Sequence, residues 1–292
     1  MYIGKSLGLI FAFSILLSLT GCDLFNPKAE IPAVIQIDKI IINADSLTQG
    51  TNAQKITDAW IYLNDNLQGV YELPAKFPVI ADGTYNLKVY PGIKVNGISG
   101  SRAAYTFLNY YEDKNFSLSK EKTNSITGTS SYKSYLTFTW LENFESQGIT
   151  LIRGVTSDTG FQVVAGGSES FNNTRFGAVY LDGSKTNFLV TSYQGFKLPN
   201  DGTRASFLEL HYATTGEMIV GIIANQTGAT ATLPLITLNS TGGAWNKIYL
   251  NFSDLINSNR LAKDYSVYFA GKRKIEDSPT RYFFENIKLI HE

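Results

Sequence analysis

Along most of this chain apolar and polar residues alternate with a period of two, and turn residues interrupt the alternation at short intervals. That period marks strands with one buried face, because successive side chains of an extended backbone point to opposite sides. Residues 34–42 (Val-Ile-Gln-Ile-Asp-Lys-Ile-Ile-Ile), 59–63 and 69–73 read as strands, punctuated by Asn64-Asp65-Asn66 and Pro74. Residues 77–80 and 85–90 flank Asp82-Gly83, which predicts a short hairpin. Residues 102–112 and Phe116-Ser117-Leu118 complete a small antiparallel β-sandwich over 34–122. Residues 123–133 are rich in Ser and Thr with few apolar side chains, which predicts a linker. A second module over 134–292 carries strand patterns at 135–140, 149–152, 161–164, 176–181, 187–193, 206–212, 218–223, 231–238, 245–252, 266–270 and 282–290. That number of strands fits a two-sheet jelly roll. Only 253–261 reads as a helix, with Ser253 as its cap. The expected fold class is all-β: a small sandwich followed by a larger jelly-roll sandwich.

The start of the chain breaks the alternation. Lys5 precedes an apolar run over 7–19, and Leu19-Thr20-Gly21-Cys22 closes it. A basic start, a short apolar stretch and small residues before a cleavage point form a secretory signal. The run is shorter than the ~20 residues a membrane-spanning helix needs. The four closing residues resemble the bacterial lipobox. The resemblance implies cleavage after residue 21 and acylation of Cys22, the chain's one cysteine. Residues 22–33 then form a tether, of which 23–33 reach at most ~35–40 Å when extended.

Composition narrows the chemistry. With 25 basic and 25 acidic residues the chain offers no global field to attract nucleic acid. A lipidated Cys22 leaves no disulfide, so stability must come from apolar cores, for which 18 Phe, 17 Tyr and 3 Trp supply material. No Gly-x-Ser-x-Gly elbow occurs. Of two histidines, His211 shares a strand face with Phe207 and Glu209, which reads as a solvated sheet surface. No strand carries two acids at alternating positions, as a carboxylate pair for glycoside hydrolysis would favour. The expectation is therefore no enzyme and no catalytic residues.

Two resemblances add to this. Asp58-Ala59-Trp60-Ile61-Tyr62-Leu63-Asn64-Asp65, then Gly69, Pro74 and Asp82-Gly83-Thr84-Tyr85-Asn86-Leu87-Lys88-Val89, resemble PEGA-like domains over residues 56–95. This implies an extracytoplasmic β-module with interaction or spacer roles. Asn143-Phe144-Glu145, Trp245-Asn246-Lys247-Ile248-Tyr249-Leu250-Asn251-Phe252, Tyr265-Ser266-Val267-Tyr268-Phe269 and Phe283-Phe284-Glu285-Asn286-Ile287-Lys288-Leu289-Ile290 resemble galactose-binding-like jelly rolls, which include many carbohydrate-binding modules. In that family acids at the positions of Glu145 and Glu285 hold a structural calcium, so those two are the candidate metal ligands. No other cofactor is expected. Tyr180, Tyr193 and Tyr212 are the candidate sugar-stacking residues, whereas Trp245 reads as packing. The pairing of modules, with Asn96-Gly97-Ile98-Ser99 and Arg102-Ala103-Ala104-Tyr105, is similar to lipoproteins of Bacteroidota.

The expected protein is thus a non-catalytic outer-membrane lipoprotein, anchored by N-terminal acyl chains, with the cell surface favoured over the periplasmic face. Its expected role is docking as an accessory subunit of an outer-membrane β-barrel complex for assembly, secretion or uptake. The alternative is a surface glycan-binding lipoprotein.

Overall fold

The computed structural model describes residues 30–146, 148–273 and 278–292. Cys22 and most of the tether lie outside them. Among the described residues nearly all regular structure is β, in two modules of two sheets each.

In the first module β1 (Ala33–Asn43), β4 (Ala75–Val79) and β8 (Thr123–Ser131) form one sheet in the order β4-β1-β8. The other contains β2 (Asp58–Leu63), β3 (Asn66–Glu72), β5 (Gly83–Lys94), β6 (Arg102–Ala104) and β7 (Tyr111–Leu118). Ile35, Ile37, Ile40 and Ile42 of β1 are buried. The skip between Ile37 and Ile40 is a bulge, seen as a register shift against β8, and it keeps both halves of the isoleucine stripe facing the core. β2 and β3 form a tight hairpin through Asn64 and Asp65, at φ 47° and 63°. Asn and Asp tolerate that left-handed backbone, and its twist suits a two-residue hairpin.

Three sequence expectations change here. Asp82-Gly83 does not close a hairpin, because β4 pairs with β1 while β5 pairs with β2, β6 and β7. The turn instead carries the chain from one sheet to the other. Residues 123–131 are not a linker but β8, parallel to β1. Its inward positions include Ile126, Gly128 and Ser130, small enough to lie against Ile40 and its neighbours, so a hydroxyl-rich segment serves as a strand. The strand expected over 102–112 breaks after Ala104, and the intervening loop buries Tyr105, Phe107 and Leu108.

The second module is a jelly-roll β-sandwich. One sheet has the order β10-β13-β18-β15-β16, built from β10 (Leu151–Arg153), β13 (Asn187–Ser192), β18 (Asp264–Lys272), β15 (Met218–Gln226) and β16 (Ala229–Leu238). The facing sheet has the order β11-β12-β19-β14-β17, from β11 (Gln162–Val164), β12 (Phe176–Leu181), β19 (Thr280–His291), β14 (Ser206–Thr214) and β17 (Asn246–Asn251). β9 (Thr137–Glu142) pairs with the far end of β19, beyond β12. A short helix α1 (Ser253–Asn257) follows β17. Ser253 lies inside that helix rather than capping it, and its hydroxyl accepts from Ser206 N.

A bulge where Leu210 faces Asn286 and Ile287 resets the alternation of β19: Glu209 pairs with Lys288, and His211 with Glu285. Both acid–base pairs thereby lie on the sheet face turned away from the inter-sheet core. That face is buried as well. All nine residues of β14 are buried, so His211 and Glu209 do not lie on a solvated surface as the alternation alone suggested. The first module covers one end of the face. The turn around Glu169 and Phe171 covers the other: Trp245 Nε1 donates to Glu169 O at 2.8 Å, and the Phe171 ring lies 4.6 Å from that of His211.

Candidate functional site

The two modules share one core. Phe207, Tyr249 and Ile290 of the second belong to the same buried cluster as Ile35, Leu87, Tyr105 and Phe107 of the first. Inside this contact sits a polar group. Glu209 is fully buried and accepts from Lys247 Nζ at 2.6 Å, Tyr105 Oη at 3.0 Å and Tyr132 Oη at 2.9 Å. Lys247 Nζ also donates to Ala53 O at 2.8 Å, and Lys288 Nζ to Thr51 O at 2.5 Å. Burial pulls the Glu209 carboxyl upward, but Lys247 and Lys288 overcome it and hold the pKa below the ordinary value. One carboxylate faces two buried ammonium groups. Burial accordingly lowers Lys288 to about 8 despite the attraction of Glu209. Burial raises Tyr105 and Tyr132 well above 10, with Glu209 adding to it, so both stay protonated donors. Every carboxylate oxygen here has a partner, and solvent does not reach it. This is a structural lock, since a catalytic group must meet a substrate.

Beside the lock the seam opens into a groove. The turn after β5 docks onto β17: Asn96 N donates to Tyr249 O at 2.8 Å, and Asn251 N donates to Asn96 Oδ1 at 2.8 Å. Asn96 and Gly97 hold φ of 55° and 71°, the left-handed backbone that this tight turn requires. A Cβ on Gly97 would meet Ile248 Cδ1 at 2.9 Å, so glycine also permits the close approach. Opposite stand the turn after β16 and the start of β17. Between them lies a cavity of about 600 Å3, within the ~300–1,000 Å3 usual for small-molecule sites. Its polar lining comes from Thr57, Asn96, Asn239, Ser240, Thr241 and Asn246, its apolar walls include Ile98 and Trp245, and Lys55 and Lys94 stand at the first module's side. A second chamber of about 410 Å3 adjoins it, sharing Lys55, Trp245, Asn246 and Lys247, and reaches Phe171 and His211. Asn246 is oriented from both sides: its Oδ1 accepts from Lys55 Nζ at 2.5 Å, and its Nδ2 donates to Tyr212 Oη at 3.2 Å.

The lining is polar but carries no carboxylate: amides, hydroxyls and one part-exposed indole form it, and no Asp or Glu does. His211 is 3% exposed, and burial first, then Lys247 and Lys288, lower its pKa to about 2, so it stays neutral.

Comparison with solved structures returns carbohydrate-binding modules. The chain is similar to the CBM22-1–GH10 modules of an endo-1,4-beta-D-xylanase of Clostridium thermocellum complexed with xylohexaose, at 15% identity and TM-score 0.40, over 53% of this chain and 28% of that one. It is similar to the C-terminal family 22 module of the same enzyme at 9% identity and TM-score 0.37, over 52% and 92%. A CBM22-2 xylan-binding domain from Paenibacillus barcinonensis matches at 14% identity and TM-score 0.36, over 51% and 97%. The similarity is one of fold. No family model matches the chain, and no curated protein does.

The structure does not bring the candidate tyrosines together. Tyr180 of β12 is half-buried and packs edge-on against Phe283. Tyr193 is 49% exposed beyond the end of β13, in the opposite sheet. Tyr212 is buried in the inter-sheet core, and its hydroxyl holds Asn246 at the groove. Glu145 and Glu285 do not fit a calcium ion, which takes ~6–8 oxygen ligands. Glu145 Oε1 accepts from Arg175 N at 2.8 Å, and Glu285 Oε1 from Thr174 Oγ1 at 2.9 Å. Burial raises Glu285 to about 8, with Glu145 and Glu142 adding to it. Among the described residues no group of three or more His, Cys, Asp or Glu side chains is arranged for a metal. Trp245, read from sequence as packing, both packs against Phe171, Phe176 and Phe283 and lines the groove. Lys55, Asn96 and Asn239 were missed because they lie far apart in sequence. The Asn96-Gly97 turn was the one local signal.

Proposed function

We propose that this protein is a non-catalytic, surface glycan-binding lipoprotein whose binding site is the groove between its two modules. The observation that carries the reading is the lining: the indole of Trp245 beside Asn96, Asn239, Asn246 and Thr241, in an open cavity free of Asp and Glu. An indole offers an apolar face for a sugar ring. Amides and hydroxyls donate to and accept from its hydroxyl groups, and their absent carboxylates leave no acid–base pair for hydrolysis. β-linked pentose and hexose oligosaccharides are the first ligands to try. In this reading Cys22 carries the acyl chains, and the short tether holds the groove near the membrane surface.

Titration of the full chain in detergent with a panel of β-linked oligosaccharides tests the proposal. Saturable binding that Trp245→Ala and Asn239→Ala each weaken, with thermal unfolding of Asn239→Ala unchanged, supports it. Binding that survives both substitutions moves the site elsewhere.

Docking onto a membrane complex is the second reading. Ile149, Ile152, Val155 and Tyr193 are exposed in and around the edge strand β10, and exposed apolar edges invite partners. A stoichiometric barrel protein in detergent extracts that is lost on Ile152→Lys favours this reading over the first.

A further inference from the structure

The chain as a whole is electrically balanced, with 25 basic and 25 acidic residues, but its groove is not. Lys55, Lys94 and Lys247 line the two chambers, and no Asp or Glu does. The three ammonium groups differ in what they already hold. Lys247 is committed to Glu209 inside the lock. Lys94 pairs at 3.1 Å with Glu72, which also binds Arg102, so that carboxylate is shared. Lys55 is exposed and forms none of the ion pairs found among the described residues. Its position is nonetheless fixed: its backbone N donates to Tyr249 Oη at 3.0 Å, and its Nζ donates to Asn246 Oδ1. Partial burial, then repulsion from Lys94, lowers its pKa. A cation repelled by a neighbouring one gains when an anion enters between them.

A second, independent observation lies in the adjoining chamber. His211 lines that chamber beside Lys55 and Lys247, almost wholly buried, and its Nδ1 has no hydrogen-bond partner. A buried polar atom without a partner is costly, so a ligand hydroxyl that satisfies it gains accordingly.

We infer that the groove selects an acidic glycan, its carboxylate or sulfate lying against Lys55 and Lys94 and its ring against Trp245. The inference rests on the glycan-binding reading above and names the ligand class within it. A cleft lined by one sign of charge focuses its field on the ligand. Lysine is a compact point charge without the planar fork that arginine offers carboxylates, so the groove reads charge more than anion shape.

The test titrates the full chain in detergent with three probes of equal length: oligogalacturonate, a sulfated oligosaccharide and a neutral β-1,4-linked oligosaccharide. Each is measured at 50 mM and 300 mM salt. The expected result is affinity for at least one acidic probe about tenfold above the neutral one at low salt, shrinking at high salt. Which acidic probe binds more tightly identifies the anion. Lys55→Gln lowers affinity for the acidic probe to that for the neutral one with thermal unfolding unchanged, and Lys55→Arg restores most of the preference. Equal affinity for neutral and acidic probes, or a preference that persists in both Lys55→Gln and Lys94→Gln, overturns the inference and leaves the glycan reading standing. Failure of all three probes to bind overturns both.

Discussion

The lock and the groove are neighbouring stretches of a single seam, and both draw on β17, yet they treat charge in opposite ways. In the lock, Glu209, Lys247 and Lys288 are all but removed from water and held by carbonyls and tyrosine hydroxyls. In the groove, Lys55 stands exposed with an amide as its partner. Desolvation explains the contrast. A buried charge without a partner is too costly to keep, whereas an exposed one is stabilised by water until a ligand displaces it. The lock ties the two modules together, and in the reading proposed above the groove keeps its charge for a ligand.

The largest expected effect is on the lock. Glu209→Ala leaves Lys247 and Lys288 facing each other in a dry contact, and should cost ~3–5 kcal/mol by urea denaturation. A change under 1 kcal/mol would show that the modules do not depend on this group. The next effect is on pH dependence, at Glu285. Its native pKa, raised by burial to about 8, stabilises the fold fully below the unfolded value near 4.5, and that contribution is lost as pH rises through about 8. His211 works in the opposite sense: its depressed pKa stabilises above 6.5, and this is lost as pH falls. Lys288, lowered to about 8, also titrates near the top of the window from pH 6.5 to 8, but in both proteins compared. The difference between wild type and Glu285→Gln therefore isolates Glu285. Across that window the wild type should lose up to about 2 kcal/mol relative to Glu285→Gln, at 1.36 kcal/mol per pH unit. Parallel slopes for the two proteins contradict the buried, protonated carboxyl. The smallest effect concerns the turn that joins lock to groove. Asn96→Gly keeps the left-handed backbone but removes the acceptor for Asn251 N, costing ~1 kcal/mol, seen as a Tm lower by roughly 2–4 °C. Asn96→Ala should cost more, because it adds backbone strain. The reverse order would mean that left-handed backbone strain does not govern the turn.

Much of the architecture was legible from alternation. The stripes of β1, β12 and β19 mark strands without ambiguity, and their number points to two β-sandwiches. What alternation lacks is knowledge of what lies opposite. Thr123–Ser131 looks like a linker because its inward residues are small, and only the presence of β1 beside it makes that an advantage. The face holding Glu209 and His211 was read correctly as one face, but a period of two does not say whether water or another module covers it. The bulge at Asn286 and Ile287 is invisible to a fixed period, and with it the placement of Lys288 against Glu209. The groove was the least legible part, because Lys55, Asn96, Asn239 and Trp245 come from four separate segments. The tyrosines chosen from sequence were selected for aromatic character alone, which the core claims more often than the surface does.

The position of β19 carries a consequence for how the chain comes to be folded at all. It is an interior strand, flanked by β12 and β9 on one side and β14 on the other, and it supplies Lys288 to the lock. Neither the second module's sheet nor its contact with the first can be completed until residue 291 has been synthesised. A chain whose keystone arrives this late stays open while its earlier strands are made. The decisive pairings are therefore non-local in sequence, which slows closure of the fold.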